Sequence, residues 1–245
     1  MAADAVSIAS AFEGFISVPC LPLSIEKDRL ANDLNSNQAA GAYINLTRHL
    51  MNNSFSAIQE VIRNRRTVKP PQMNGQQVPD EQVKQLLALA DWAPTHGHTE
   101  PWRFRVYAKE KVKEFCLSHA ELYKTHTAPD KYQQEKHEKL LHMGDKASHV
   151  IVAYMRRGDL PKIPALEEIA ATSCAVQNLL LGATALGIAN YWGSGGMAYH
   201  PAMKEMLQLW EEDLVLGILY LGYTDKPIPE GKRLVPLEDK VQWYS

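Results

Sequence analysis

The chain has 245 residues, of which 45% are hydrophobic and 22% are charged, a composition typical of a globular protein with a sizeable core. The formal net charge is −2, so the overall charge does not favour nucleic acid or an anionic membrane as a partner. The length suits one large domain or one domain with an appendage. Any anion-binding site must therefore be local.

The cysteines and the apolar runs bear on the cellular compartment. Cys20, Cys116 and Cys174 are far apart and have neither metal-binding nor redox spacing. No apolar run reaches the length of a membrane span, and the N-terminus lacks the basic segment of a signal peptide. We therefore expect reduced thiols in a cytoplasmic protein without a membrane segment.

The first fifth of the chain is difficult to interpret. Residues 1–53 are rich in Ala, Ser and Asn and show no lasting hydrophobic period, whereas clear patterning begins directly afterwards. We predict an N-terminal extension over residues 1–53, poorly ordered or draped over the surface, and a folded domain over residues 54–245.

The first clear element is a helix. Ser56 and Gln59 have the spacing of a capping box, which predicts a helix start at Ser56. Ile58, Val61 and Ile62 fall on one face.

This helix leads into a basic cluster over residues 63–69. Pro70 and Pro71 prevent the helix from continuing beyond it. So dense a group of cations suits a phosphate ligand, but a solvated charge run that favours the helix dipole is the alternative. The cluster contains Arg63, Arg65, Arg66 and Lys69.

The middle of the chain alternates helices and strands. A second helix is predicted to open at Pro79 and Asp80, and a loop over residues 95–102 leads to a strand that contains Phe104 and Val106. Residues 109–146 predict charged helices with a break near Pro129, and residues 150–154 predict a buried strand. The second helix buries Val83, Leu86, Leu87 and Ala90.

A zinc site in the charged region is disfavoured. His137 and His142 lie five residues apart, so their imidazoles do not share a helix face. We predict a solvated helix there and no metal.

Residues 164–186 predict the longest helix, which Gly187 ends. It is apolar on nearly all sides, so it is either the central core helix or part of a subunit interface. A strand over residues 188–192 follows, and then the loop 193–196, with the sequence Gly-Ser-Gly-Gly. Such a loop lets backbone amides approach a flat or anionic ligand closely, although a plain tight turn is the alternative.

The C-terminal part contains a helix from His200, a strand over residues 214–223 and an extended tail. The tail carries a second basic pair, Lys232 and Arg233. No internal repeat is visible.

Five motifs in this order resemble the FMN-dependent nitroreductase family, and in particular its small single-domain NAD(P)H nitroreductases. The similarity runs from about Phe55 to the C-terminus. The motifs are Arg65-Arg66-Thr67, Ala93-Pro94 with Pro101-Trp102-Arg103-Phe104, the Ala-rich helix into Leu186-Gly187-Ile188, the loop from Trp192 to Gly196, and Gly217 to Gly222 with the basic tail.

The resemblance implies an α+β fold with a mainly antiparallel central sheet surrounded by helices. It implies an interlocked homodimer with two FMN sites at the interface. Arg65, Arg66 and Thr67 would hold the FMN phosphate and ribityl chain, Lys69 would reach the pyrimidine edge of the flavin, and Arg233 would help to grip the phosphate.

The resemblance also implies a second group of cofactor contacts. Thr95, His96 and His98 would reach the flavin of the partner subunit, although His98 and Glu100 depart from the amide side chains usual in the family. The segment that would line the flavin ring and its N5 edge consists of Trp192, Gly193, Ser194 and Gly195.

The reaction implied is ping-pong transfer of a hydride from NAD(P)H through flavin N5 to a small oxidised molecule such as a nitroaromatic or a quinone. No side chain is assigned a catalytic role, although His96 is a hypothetical proton donor near the ring. The alternatives are a non-enzymatic FMN- or phosphate-binding protein of the same fold and, less in keeping with the net charge, RNA binding through residues 63–69.

Overall fold

The structure, a computed structural model, describes residues 53–244. These residues form α-helices and one β-sheet. The helices are α1 (residues 53–64), α2 (Asp80–Ala90), α3 (Glu110–His126), α4 (Gln134–Leu141), α5 (Ala165–Ala185) and α6 (Pro201–Met206). The strands are β1 (Trp102–Ala108), β2 (His149–Met155), β3 (Ala189–Gly193) and β4 (Leu214–Gly222).

The four strands form one antiparallel sheet in the order β1-β2-β4-β3. β2 and β4 are central, and every residue of β2 is buried because helices cover both faces of the sheet. This arrangement confirms the predicted α+β fold with a mainly antiparallel sheet.

Alternation along β2 divides the core into two layers, because successive side chains of a strand point to opposite faces. Val150 and Val152 belong to the cluster that includes α3 residues such as Phe115. Ile151 belongs to the cluster on the other face, where α5 residues such as Val176 pack. The molecule therefore has helices on each side of a central sheet.

α5 confirms the longest predicted helix and ends, as predicted, at Gly187, whose φ is +68°. One side of α5 is buried against the sheet. The opposite side is exposed in the single chain and is mostly small or apolar, and Leu166 on this side is 75% exposed. We call this surface the exposed stripe of α5; it contains Leu166, Ala170, Cys174 and Gln177.

The predicted start of α1 is wrong. Residues 53–64 are helical, so Ser56 lies inside the helix instead of capping it. A serine three residues before a glutamine also fits a helix interior, where the hydroxyl can bond a carbonyl of the preceding turn. Ile58 and Ile62 are 58% and 50% exposed, so the apolar face of α1 is not buried within the single chain.

Glu60–Ser245 forms one compact unit. The predicted extension over residues 1–53 lies outside the described residues except for Asn53, so the proposed domain boundary stays a prediction. Across residues 53–244, no helix is both long and apolar enough to cross a membrane.

Candidate functional site

The basic cluster runs beside the edge strand β3. Thr67 forms a parallel bridge with Asn190, and the backbone N–H of Val68 donates to the carbonyl of Asn190 over 2.9 Å. Because this bridge is parallel, the chain from Thr67 to Lys69 runs toward the same end of β3 as the loop 193–196. Two motifs that are 120 residues apart in sequence are thus brought together at one edge of the sheet.

A pocket of about 460 Å³ lies at this edge, and we call it the edge pocket. Three of the residues predicted to bind the cofactor, Lys69, Gly193 and Gly195, line it. Its floor is the sheet, through Tyr191, Ile218 and Tyr220, and its remaining walls come from α3 and α4. A volume of several hundred cubic ångströms is in the range of small-molecule sites.

His119 on α3 fixes the position of the loop 193–196. Its Nε2 accepts a hydrogen bond from the backbone N–H of Met197 over 2.9 Å, and the ring is buried. A Cβ at Gly196 would lie 2.5 Å from this nitrogen, and the φ of Gly196 is +67°. The loop therefore packs directly on the imidazole, and only glycine fits at position 196.

Burial determines the protonation of the groups around the edge pocket. It lowers the pKa of His119 from 6.5 to about 4, because the buried ring loses the hydration of its charged form. Burial also raises the pKa of Tyr220 and raises the pKa of the neighbouring Cys116 thiol to about 11. All three groups are neutral at pH 7, and Cys116 is not an activated nucleophile.

The loop itself is open on its other side. A Cβ at Gly195 would meet no atom within 4 Å, so the loop presents backbone with free space above it. Ser194 is exposed, and the indole N–H of Trp192 donates to the carbonyl of Leu216 over 3.0 Å. This bond holds the Trp192 ring beside the loop.

The C-terminal tail returns to the basic cluster. Nε of Arg66 donates to the carbonyl of Pro229 over 3.1 Å, and a Cβ at Gly231 would overlap the guanidinium of Arg66. Arg233 follows two residues later, but its Nη1 donates to the carbonyl of Lys232, and no hydrogen bond joins it to the cluster within the described residues. Arg65 is half-buried and Thr67 is exposed.

The loop 95–100 lies elsewhere in the chain. His96 Nδ1 is 2.7 Å from Oε2 of Glu167, in the first turn of α5, and the hydroxyl of Thr95 accepts from the backbone N–H of Glu100 over 3.2 Å. His98 and Glu100 both have positive φ, at 54° and 40°. None of Thr95, His96 and His98 lines the edge pocket of its own chain. The predicted site residues therefore form two groups within a single chain.

Sequence reasoning missed several residues of the edge pocket. His119, Tyr191 and Tyr220 were assigned to helices and strands without a role, since one buried histidine on a helix gives no signal of what it contacts. Lys136 and Lys139 also line the pocket, although the charged helix was predicted to be merely solvated. The three-residue spacing of the two lysines, which places both on one helix face, was the available signal.

Metal binding has no visible site in the part of the chain that the structure describes. Among residues 53–244, no three His, Cys, Asp or Glu side chains are grouped so that they could hold a metal ion. His142 Nδ1 instead lies 2.9 Å from Asp145.

An antiparallel sheet between helices, with a basic segment and a glycine loop at one edge, defines the nitroreductase fold. A solved nitroreductase-like family protein from Bacillus cereus has a TM-score of 0.64 at 30% identity, and the match covers 76% of this chain and 95% of that one. The FMN-dependent nitroreductase NfnB from Mycobacterium smegmatis, solved in complex with NADPH, has a TM-score of 0.58 at 19% identity, over 78% and 100% of the two chains. The second likeness concerns the fold alone.

Sequence comparison identifies the family. The sequence model of the nitroreductase family matches residues 62–223, so the chain belongs to this family. A Bacillus subtilis protein that bears the provisional name NAD(P)H nitroreductase YfhC is 27% identical over 185 residues, which is 76% of this chain and 93% of that protein. The resemblance stated from the motifs is confirmed.

Proposed function

We propose that this protein is an FMN-dependent oxidoreductase that takes reducing equivalents from NAD(P)H and reduces a small oxidised molecule such as a nitroaromatic or a quinone. The observation that carries the proposal is the meeting of the basic segment and the glycine loop at the edge pocket, in a chain of the nitroreductase family. Solved members of this fold from Desulfovibrio desulfuricans and Bacteroides fragilis contain FMN.

The segment that leads into the pocket fits this cofactor, although of its predicted residues only Lys69 lines the pocket itself. Arg65 and Arg66 supply guanidinium groups for a phosphate, and Thr67 supplies a hydroxyl one residue later. The open face of Gly195 leaves room for a flat ring against the backbone. The segment that carries these side chains runs parallel to β3 toward the loop, so one elongated ligand with a phosphate at one end and a ring at the other would contact both.

Bound FMN would supply a ring that accepts a hydride from NAD(P)H and returns two electrons to the acceptor. The protein's own groups bind and position. The ammonium of Lys69 is exposed in the pocket and favours negative charge at the nearby edge of a bound ring. His119 holds the loop through Met197, and Arg66 holds the tail through Pro229.

The second group of predicted residues supports a homodimer. Thr95, His96 and His98 do not line the edge pocket of their own chain, and the family resemblance assigns them to the flavin of the partner subunit. The exposed stripe of α5 and the exposed isoleucines of α1 provide apolar surface that a second copy would bury. We therefore propose an interlocked homodimer with two composite sites. The free thiols of Cys116 and Cys174 fit a cytoplasmic location.

Cofactor binding is tested by titrating FMN and riboflavin into wild-type protein and the Arg65→Gln variant. Loss of a charge-assisted hydrogen bond to phosphate is expected to weaken FMN binding about tenfold or more. Riboflavin lacks the phosphate, so its binding should change little. The control variant Arg105→Gln, on β1, should bind FMN as the wild type does.

Equal FMN affinity in wild type and Arg65→Gln would contradict the assigned phosphate site. A protein that binds FMN but never transfers electrons from NAD(P)H would instead be a non-enzymatic FMN-binding protein, which is the alternative function.

A further inference from the structure

One wall of the edge pocket has no part in the proposed cofactor contacts. This wall is formed by α4 and the residues next to it. It contains neither Lys69 nor the glycine loop. Lys136 and Lys139 lie one turn apart on the pocket-lining face of α4, and Leu140 continues that face. Any molecule that reacts with a ring bound against the loop must fit alongside this wall.

The charges in the pocket are unbalanced. Lys69, Lys136 and Lys139 line it against the single carboxylate of Glu135, which leaves an excess of two positive charges. Within the described part of the chain, no ion pair involves any of these three lysines. His119 and Tyr220 are neutral and do not alter the balance.

Lys136 is held in place without being neutralised. Its Nζ lies 4.7 Å from the centroid of the Tyr123 ring, a cation–π contact that positions the ammonium and leaves its charge uncompensated. The neighbouring carboxylates face other groups: Glu121 lies 3.5 Å from His137, and Glu138 accepts from Gln134, so neither forms an ion pair with Lys136. An anionic ligand would therefore meet cations that are not paired with carboxylates.

The rest of the lining is apolar and partly aromatic. Tyr191, Ile218, Leu140 and Met143 line the same pocket as the lysines. Such a surface accommodates a flat hydrocarbon body, while the lysines recognise a charged group at its rim. The phosphate of FMN is already assigned to Arg65 and Arg66, so the anion that α4 serves is a different one.

We propose that α4 selects the electron acceptor, and that the preferred acceptor is a small aromatic molecule bearing a carboxylate that Lys136 and Lys139 bind. The inference rests on the proposed function, because it places the acceptor beside the FMN site. Lys136 and Lys139 are specificity-determining residues and take no part in electron transfer.

The test compares 4-nitrobenzoate with its neutral isostere 4-nitrobenzamide as acceptors for the FMN-loaded protein. In each turnover one NAD(P)H and one proton convert the nitro group to a nitroso group, with NAD(P)+ and water as products. We expect the double variant Lys136→Met/Lys139→Met to lose about tenfold or more in kcat/KM for the benzoate, with the benzamide changed less than about twofold. The variant Lys124→Met, at an exposed position of α3, is the matched control and should behave as wild type.

A second measurement does not depend on turnover. Titration calorimetry with 4-nitrobenzoate, without NAD(P)H, should show binding that weakens about tenfold in the double variant and weakens with added salt in the wild type. Equal benzoate affinity in the two proteins would overturn the inference. So would a double variant whose KM rises for NADPH but not for the benzoate, because the lysines would then serve the dinucleotide.

These outcomes separate the inference from the proposed function. Reduction of 4-nitrobenzamide without any lysine-dependent preference for the benzoate would overturn the inference and leave the oxidoreductase intact. Lysine-dependent binding of the benzoate by a protein that retains no FMN would support the anion site and overturn the proposed function.

Discussion

His119 connects the core to the loop 193–196 through its buried Nε2. It accepts from the backbone of Met197 only while it is neutral, and its surroundings disfavour the charged form. The unfolded chain has no such restriction, so it binds a proton near pH 6.5 whereas the folded chain does so only near pH 4. Stability contributed by this residue is therefore complete above pH 6.5 and is lost as the pH falls toward 4.

Replacing His119 with glutamine tests this coupling. Glutamine keeps an acceptor and does not titrate, so between pH 7 and pH 4.5 the variant should lose about 2 kcal/mol less free energy of unfolding than the wild type. Urea unfolding at both pH values measures the difference. The control His126→Gln, exposed on the same helix, should follow the wild type, and equal losses in wild type and His119→Gln would disprove the role.

His96 is the one side chain proposed to donate a proton near the ring. Oε2 of Glu167 lies 2.7 Å from its Nδ1 and orients the ring, so a proton donated from Nε2 must come from the doubly protonated imidazolium. We expect His96→Ala to retain FMN and to lose about 10²-fold in kcat with a nitroaromatic or quinone acceptor, with a smaller loss for Glu167→Gln. Full FMN binding with full turnover in His96→Ala would remove His96 from the mechanism.

At the scale of elements, the loop 193–196 and the segment 65–69 form the site through different constraints. Gly196 is restricted by its φ of +67° and by the His119 ring, whereas Gly195 has free space around it. Two alanine substitutions one residue apart should therefore have different consequences.

Gly196→Ala should destabilise the protein by about 1–3 kcal/mol, because the Cβ meets His119 and the backbone strain adds to the overlap. Gly195→Ala should leave the stability of the FMN-free protein unchanged and weaken FMN retention, since the new methyl group would occupy space proposed for the ring. Thermal unfolding and flavin retention after desalting measure the two effects. Equal stability losses would mean that the loop is not held as described.

Most of the helices and strands were predictable from the sequence and some of their features were not. The strands and most helices were predictable because β2, β4 and α5 are mostly apolar stretches of different length with clear ends, such as Gly187. The start of α1 was not, because a local serine–glutamine spacing does not distinguish a helix cap from a helix interior. The pairing of residues 65–69 with β3 depends on a parallel bridge between distant segments, which no local pattern contains; the family resemblance implied only that both segments contact the same cofactor.

Only some of the residues that line the edge pocket were predictable from the sequence. Lys69, Gly193 and Gly195 were predictable from motifs, and the structure places them around one cavity. His119, Lys136 and Lys139 were not, because they reach the cavity from helices whose packing depends on the whole core.

At the scale of the whole molecule, the central question is whether two chains associate as proposed. The exposed stripe of α5 is mostly small or apolar although the helix is central, and His96 does not line the edge pocket of its own chain. Both observations fit a second copy packed against α5.

A charge placed in this stripe should separate the subunits. Cys174→Arg introduces an uncompensated cation at the proposed interface, so the variant should sediment as a monomer and lose FMN together with the dimer. Leu117→Arg, at an exposed leucine of α3, should leave the wild-type dimer and its FMN content unchanged. A dimeric Cys174→Arg variant with full FMN content would place the interface elsewhere.

The most direct test of the account is the visible absorption spectrum of the protein after FMN addition and desalting, followed by anaerobic addition of NADPH or NADH. We predict retained flavin absorbance that bleaches with one or both nucleotides and returns when a nitroaromatic or quinone acceptor is added. Retained flavin that never bleaches would contradict the enzymatic function, and the absence of retained flavin would contradict the cofactor site itself.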